Sequence, residues 1–318
     1  PGVSQAASKE RQLSRWLHNE RIVPAVVYGP LLASVLAEWA GETLYLALDT
    51  SQLWQRLVIV RLALVYRGRA LPLGWVVRAS GSATVAVACY QRMLAEVAER
   101  IPHSSRVVLL ADRGFMDVKL MQLARQLNWH FRIRVKSSVY VYRATHSRRT
   151  VAALMPPAGQ ARFFSHIWLT EQRFGPLHLA LAYVQSQQTY LPWAIVSDEP
   201  VSLKTFDEYG LRFDIEENFL DDKSAGFQLE ASQLADAQAI SRLCLLVATA
   251  TLYLVSTGTA LVETGRRHLV DTHWQRGLSY LQIGWRWVNR AITSGECLLN
   301  FLWFTPGPDP EPAMASYR

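Results

Sequence analysis

The chain is poor in cysteine and lacks every compact catalytic motif built on histidine, serine or a phosphate loop. Its three cysteines, Cys89, Cys244 and Cys297, are too few and too scattered for a disulfide framework or a Cys-x-x-Cys zinc site, and they suit a reducing cytosol. The eight histidines show no H-x-H or HExxH spacing, and neither GxSxG nor a phosphate-loop motif occurs. Zinc hydrolase, serine hydrolase and ATP-driven readings therefore have no support. No internal repeat is visible. The opening PGVSQAASKERQLSRWLHNE has no apolar core of signal-peptide length and does not begin with Met, which reads as a fragment or a trimmed numbering.

What is there is an ordinary globular composition. The 318 residues are 50% hydrophobic and 19% charged, enough to bury a large core in one elaborated domain or two. Lys and Arg exceed Asp and Glu by 33 to 26, a formal charge of +7 that suits a polyanionic partner, nucleic acid ahead of an anionic membrane. The uncharged run from Leu243 to Val262 meets the length test for a membrane span. Its Thr, Ser and Gly content and its place beside an amphipathic segment predict a buried core helix, so no membrane partner is expected.

Along the chain, residues 8 to 39 look mainly helical, punctuated by Pro24 and Gly29-Pro30. GETLYLALDTS reads as a central strand with Asp49 at its carboxyl end, and RLVIVRLALVYRGRALPLGWVVR as two strands turning at Arg67-Gly68-Arg69. A helical pattern over 83 to 100 follows. RVVLLADRGF is a second buried strand, whose apolar run stops at Asp112; after it come the helix-like MDVKLMQLARQLN and the strand-like HFRIRVK. Sites in α/β sheets form beyond the carboxyl ends of strands, so Asp49 and Asp112 are candidates to meet there.

YGLRFDIEENFLDDK, residues 209 to 223, predicts an amphipathic helix with a second, charged stripe. At about 100° per residue, Tyr209, Arg212, Glu216 and Lys223 fall within roughly 60° of arc. Ion pairs on a solvated face explain most such patterns. Lys223 lies too far from Glu216 for that ladder, and the stripe borders the buried face of Leu211, Ile215, Phe219 and Leu220, as suits the rim of a site. Two strand-end aspartates and a helical glutamate supply the hard oxygen ligands of two-metal phosphoryl chemistry, although each alone reads equally well as a cap or turn residue.

LALDTS, VVLLADRGF and Y-x2-R-x3-E-x6-K together resemble the DDE transposases of bacterial insertion sequences, in the group with the tyrosine-arginine-glutamate-lysine signature. The resemblance covers about residues 44 to 290. It implies an α/β fold with a ribonuclease H-like core, a mixed central sheet flanked by helices. Asp49, Asp112 and Glu216 would be catalytic ligands of two divalent metals, magnesium or manganese. The implied partners are double-stranded DNA, as transposon ends and target, and a second copy of the chain in a homodimer on paired ends. The implied reaction is cut-and-paste strand transfer, in some members through a hairpin, in the nucleoid of a bacterial cytoplasm. Tyr209, Arg212 and Lys223 would contact terminal phosphates, and Trp193 occupies the position where some members stack a flipped base; packing at the head of a buried strand is the competing reading for Trp193.

The expected organisation is a helical N-terminal segment over 1–40, a remnant of a DNA-binding region; the first part of the core over 41–136; a β-rich insertion over 137–190; the second part with C-terminal helices over 191–304; and a disordered tail over 305–318. Arg132, Arg134 and Lys136 alternate along one strand and face either DNA or solvent. In residues 273 to 290, Trp285 and Trp287 read as packing, with Arg276, Arg286 and Arg290 open between DNA and packing. Two rivals remain: a non-catalytic, domesticated DNA-binding relative, and a structure-selective nuclease that cuts without joining.

Overall fold

In a computed structural model that describes residues 3–143, 148–186 and 189–313, the chain forms a ten-stranded mixed sheet with helices on both faces. Helices α1 (Val3–Leu17) and α2 (Pro24–Leu36) lead into β1 (Thr43–Leu53), β2 (Leu57–Tyr66) and β3 (Arg69–Ala79), an antiparallel meander. Then come α3 (Gln91–Ala98), β4 (Arg106–Ala111), α4 (Val118–Gln126) and β5 (His130–Arg134). Strands β1, β4 and β5 run parallel to one another. The strands β6 (Tyr140–Tyr142) and β7 (Arg148–Thr150), a single turn α5 (Val151–Leu154), and β8 (Ala161–Leu169), β9 (Phe174–Ser186) and β10 (Thr189–Ser197) complete the sheet in the order β3-β2-β1-β4-β5-β10-β9-β8-β6-β7.

Alternation along β1 decides what faces what. Leu44, Leu46 and Leu48 enter the main core, while Ala47 and Leu53 enter a second core on the opposite face with Ile215 and Phe219. Asp49 shares the parity of Ala47 and so looks toward that second face. The signature stretch lies over it as α6 (Lys204–Gly210), a 3₁₀ turn over Leu211–Phe213, α7 (Asp214–Leu220) and a π turn over Asp221–Ala225. The single regular helix expected for 209 to 223 is thus replaced by four short segments, and one 100° step no longer describes the whole stripe. Wide π turns inside helices recur at functional sites.

Helix α8 (Ala237–Glu263) packs along the edge strand β3, with Ile240 and Cys244 in the second core and Leu245 to Val262 in the main core, and packs on α9 (Tyr280–Ser294). Gly258 and Gly284 permit this approach, because a Cβ on either would collide with the carbonyl oxygen of Tyr280 or Leu254. Helix α8 is long and apolar enough to cross a membrane, but most of its apolar window is buried within the protein, as expected of a core helix. Arg242 on α8 donates to the carbonyls of Leu17 and Ile22, tying the N-terminal segment to the core.

The tail is partly ordered. Phe304 is buried, Asp309 accepts from Arg276 and Tyr280, and Glu311 pairs with Arg267, so residues 305–313 are docked and not disordered. Residues 314–318 lie outside the described residues.

Candidate active site

Strand register brings the two aspartates together. The parallel ladder between β1 and β4 ends at Leu48 opposite Ala111, so Asp49 and Asp112 are the next residues along the two strands, at the point where these part. Strand β1 itself runs on to Leu53 in its hairpin with β2, so Asp49 marks the parting of β1 from β4 and not, as expected, the end of its strand. Asp112 ends the apolar run as foreseen: its Oδ1 accepts from the Gly114 amide at 2.7 Å and caps a short 3₁₀ turn.

Glu216 joins through Arg212. One guanidinium donates to Asp49 Oδ2 at 2.7 Å and to Glu216 Oε1 at 2.6 Å. Arg212 is buried, whereas the Glu216 side chain is 54% exposed. Burial pushes the Asp49 carboxyl up to about 6, against the pull of Arg212 and the Thr50 amide, and the charges of Asp112 and Glu216 push the same way. The guanidinium pairs with Asp49 and Glu216, while Asp112, among the described residues, has no ion pair, and the three offer hard oxygen donors. That donor set fits divalent cations of the magnesium type. The three do not close to mutual ligand spacing; the one described trio whose donor atoms all lie within 4.8 Å is His130, Asp198 and Glu199, elsewhere on the sheet.

The remaining signature residues have different surroundings. Tyr209 is fully buried, edge-on to Trp193 at 4.9 Å, with the Arg212 guanidinium 5.9 Å from its ring and, among the described residues, no hydrogen-bond partner for its hydroxyl. Trp193 is buried too, and Phe213 stacks on it at 5.8 Å and 26°. In this state Trp193 is packing, and the stacking platform expected of it is covered. Lys223 sits in the π turn, 3.8 Å from Glu230, so the acid it pairs with is none of Asp49, Asp112 and Glu216.

Two buried arginines hold this assembly on the sheet. Arg61, the cross-strand partner of Asp49, donates to Asn218 at 2.7 Å, pairs with Asp222 at 2.5 Å and lies 4.8 Å from the Phe219 ring. Arg132 on β5 pairs with Glu208 at 2.9 Å, and Tyr45 donates to the same carboxylate. One clamp grips the residue before Tyr209, and the other grips the residue before Lys223. Arg132 is therefore neither a DNA-facing nor a solvent-facing residue. Arg61 escaped the sequence reading, although a lone arginine within the apolar run LVIVRLALV was its signal. Arg276 is likewise buried and paired with Asp309, and Arg286 and Arg290 cap the carbonyls of Val270 and Leu269. Trp287 is core, and Trp285 packs on Phe227 while staying partly exposed.

The family described as Transposase DDE domain matches residues 55–253, a span that contains Asp112 and the whole signature and begins just past Asp49. No curated protein matches the chain. Similar solved structures include a piggyBac transposase synaptic complex with hairpin DNA, 12% identical over 85% of this chain and 60% of that one, with a TM-score of 0.39. They also include a Marinitoga piezophila Argonaute with 5′-OH guide RNA and target DNA, 11% identical over 57% of this chain and 26% of that one, at 0.28. The chain thus spans about 60% of the length of the transposase it resembles.

Proposed function

The chain belongs to the DDE transposase family, and from that premise we propose that it cuts DNA at the ends of a mobile element and joins them to target DNA by metal-dependent phosphoryl transfer. The observation that carries the proposal is the β1–β4 ladder that ends at Leu48 and Ala111, one residue before Asp49 and Asp112, together with the Arg212 link from Asp49 to Glu216. The strand order β3-β2-β1-β4-β5, antiparallel to β1 and parallel beyond, supports a ribonuclease H-like core, with β6 to β9 as its β-rich insertion.

Asp49, Asp112 and Glu216 would hold two divalent ions, magnesium or manganese, which supply an activated attacking oxygen and a stabilised leaving oxygen. Arg212 neutralises two of these carboxylates here. Turning to a DNA phosphate requires it to release at least one of them, which couples phosphate binding to exposure of the acidic site. Tyr209 and Trp193 stiffen the wall on which Arg212 rests. A hairpin step that stacks a base on Trp193 requires Phe213 to leave first. Double-stranded DNA as substrate, a homodimer on paired ends and a bacterial cytoplasmic setting complete the reading.

The test is an assay of end DNA with magnesium or manganese. Joined products support a transposase, cut but unjoined products favour a structure-selective nuclease, and binding without cutting identifies a domesticated binder. Arg212→Lys sharpens it: the ammonium keeps the charge but cannot bridge Asp49 and Glu216 with a planar fork, so binding should survive while cleavage falls. Normal cleavage by Arg212→Lys would count against the bridge.

A further inference from the structure

Helix α2 is apolar on both of its faces. From Ile22 to Ala37 the chain carries no charge. Tyr28, Leu32, Val35 and Leu36 turn inward to the main core. The opposite face is open: Val23 is 49% exposed, Val26 69% and Val27 55%, and Pro30, Ala33, Ser34 and Ala37 are exposed beside them. A helix that is hydrophobic all round is normally enclosed, and a contiguous exposed apolar patch marks an interaction surface. The Ser34 hydroxyl donates to the Leu31 carbonyl at 2.8 Å, so the open face offers no unmet side-chain donor.

This face is graded along the helix. Its N-terminal half carries Val23, Val26 and Val27, and its C-terminal half only Ala33, Ser34 and Ala37, at steps of three and four that keep them on one side. Pro30 lies midway. Val27 and Ala33, Val26 and Ser34, and Val23 and Ala37 are each equidistant from it in sequence. A two-fold axis through Pro30 therefore seats every valine of one helix against a small residue of an antiparallel copy, the self-complementary arrangement that an isologous contact needs. Charge follows the same symmetry. Arg21 lies just before α2 and Glu38 just after it, both exposed, and among the described residues neither has an ion-pair partner. An antiparallel pair brings Arg21 of each copy to the Glu38 end of the other and sets the positive end of each helix beside the negative end of its neighbour. A parallel pair would oppose like charges.

We propose that the outer face of α2 is a docking surface for a second copy of this chain, packed antiparallel about Pro30 in the absence of DNA. The pairing rests on α2 and not on the transposase reading, since it needs no DNA ends to hold it. A helix of 13 residues is about 20 Å long, so the contact is smaller than a standard protein interface and its dissociation constant lies on the order of 10 μM.

The test is sedimentation equilibrium of the full chain, without DNA or divalent metal, from about 1 to about 300 μM. The wild type should pass from monomer to dimer across that range. Val26→Asp/Val27→Asp puts two carboxylates on the open face, near the helix N-terminus where the dipole favours them, so the fold should hold while the dissociation constant rises about a hundredfold. Ile292→Asp, at an apolar position on α9 that is 68% exposed, should leave the dimer unchanged. Glu38→Arg should weaken it about tenfold, and Arg21→Glu/Glu38→Arg should restore it; if the valine variant loses its fold, this charge reversal decides alone. A wild type that stays monomeric overturns the proposal, as does a dimer that survives Val26→Asp/Val27→Asp or that Ile292→Asp disrupts equally. Failure of the double reversal to restore the dimer overturns the antiparallel arrangement. Magnesium-dependent cutting of end DNA reports separately on the reaction: cutting by a protein that is monomeric without DNA sinks the α2 pairing alone, and an α2 dimer that never cuts sinks the catalytic reading alone.

Discussion

His130, Asp198 and Glu199 stand at one end of the central sheet, where β5 begins and β10 has ended; Asp49 and Asp112 stand at the other, with Glu216 beside them. The first cluster is tight and balanced. His130 lies 2.9 Å from Asp198, and Glu199 takes Arg106 at 2.5 Å and Arg132 at 2.9 Å. Those arginines hold the Glu199 carboxyl below its usual range although burial pushes it up. The second cluster is looser, with one guanidinium paired to two of its three carboxylates, and burial lifts Asp49 to about 6. Spacing alone would favour the first as a metal site; charge balance favours the second. A cluster already satisfied by guanidinium groups gains little from an ion and serves to lock β4, β5 and β10 together. A cluster left with surplus charge costs stability until something cationic arrives.

The largest effect should separate the clusters by chemistry. Asp49→Asn or Glu216→Gln should lower DNA cleavage by about 10³-fold or more with the fold intact, while Glu199→Gln should keep cleavage per folded molecule within a few-fold. Cleavage rates normalised to folded protein decide this, and a dead Glu199→Gln enzyme with native folding would break the comparison.

Next in size is the clamp beneath the signature. Arg61→Ala leaves Asp222 buried and unpaired, at a cost of about 3–5 kcal/mol. Arg61→Met fills the space but leaves the same acid, so Arg61→Met/Asp222→Leu should recover most of the loss in a thermal melt. Failure of the double variant to recover would mean that the clamp does more than neutralise one acid.

The pH dependence should have opposite sign at the two ends. Glu199 has a depressed folded value, so its stabilisation is present above the ordinary carboxyl value of about 4.3 and is lost as pH falls through the folded value. Glu199→Gln should flatten that acid limb. Asp49 is raised, so its ionisation costs stability, the cost growing from about pH 4 to about pH 6 and holding above. Without metal, Asp49→Asn should therefore be more stable than the wild type at neutral pH, by up to about 3 kcal/mol, the pull of Arg212 being already included in the raised value. Magnesium should stabilise the wild type more than the variant. A lower melt for Asp49→Asn would show that the Arg212 pair outweighs burial.

The smallest effect belongs to Glu217, one step round α7 from Glu216 and 3.9 Å from Arg69 at a partly exposed position. Glu217→Gln should change stability by about 0.5 kcal/mol or less and leave cleavage unaltered. It is the control for Glu216→Gln on the same turn.

The strands were legible because burial writes itself into alternation: LYLALD and RVVLLAD announce their faces and their polar ends. The breaks inside 209 to 223 were not, since the 3₁₀ and π turns follow no composition rule and reflect how Arg61 and Arg132 hold the segment at its two ends. The docked residues 305–313 were read as disorder because PGPDPEP is turn-forming and polar, and nothing local reveals that Asp309 meets Arg276 and Tyr280.

By itself, the sequence determined which acids and cations were available and at what spacing, because strand parity and the Arg212 to Glu216 step are set by local geometry. Only the tertiary structure decided which arginines are spent and which are free. Arg61 finds Asn218 157 positions away, and Arg132 finds Glu208 76 positions away, while Arg113 and Lys136 pair with no acid among the described residues. Pairing of charges depends on which chain segments the fold brings side by side, and a list of residues in order carries no such distances.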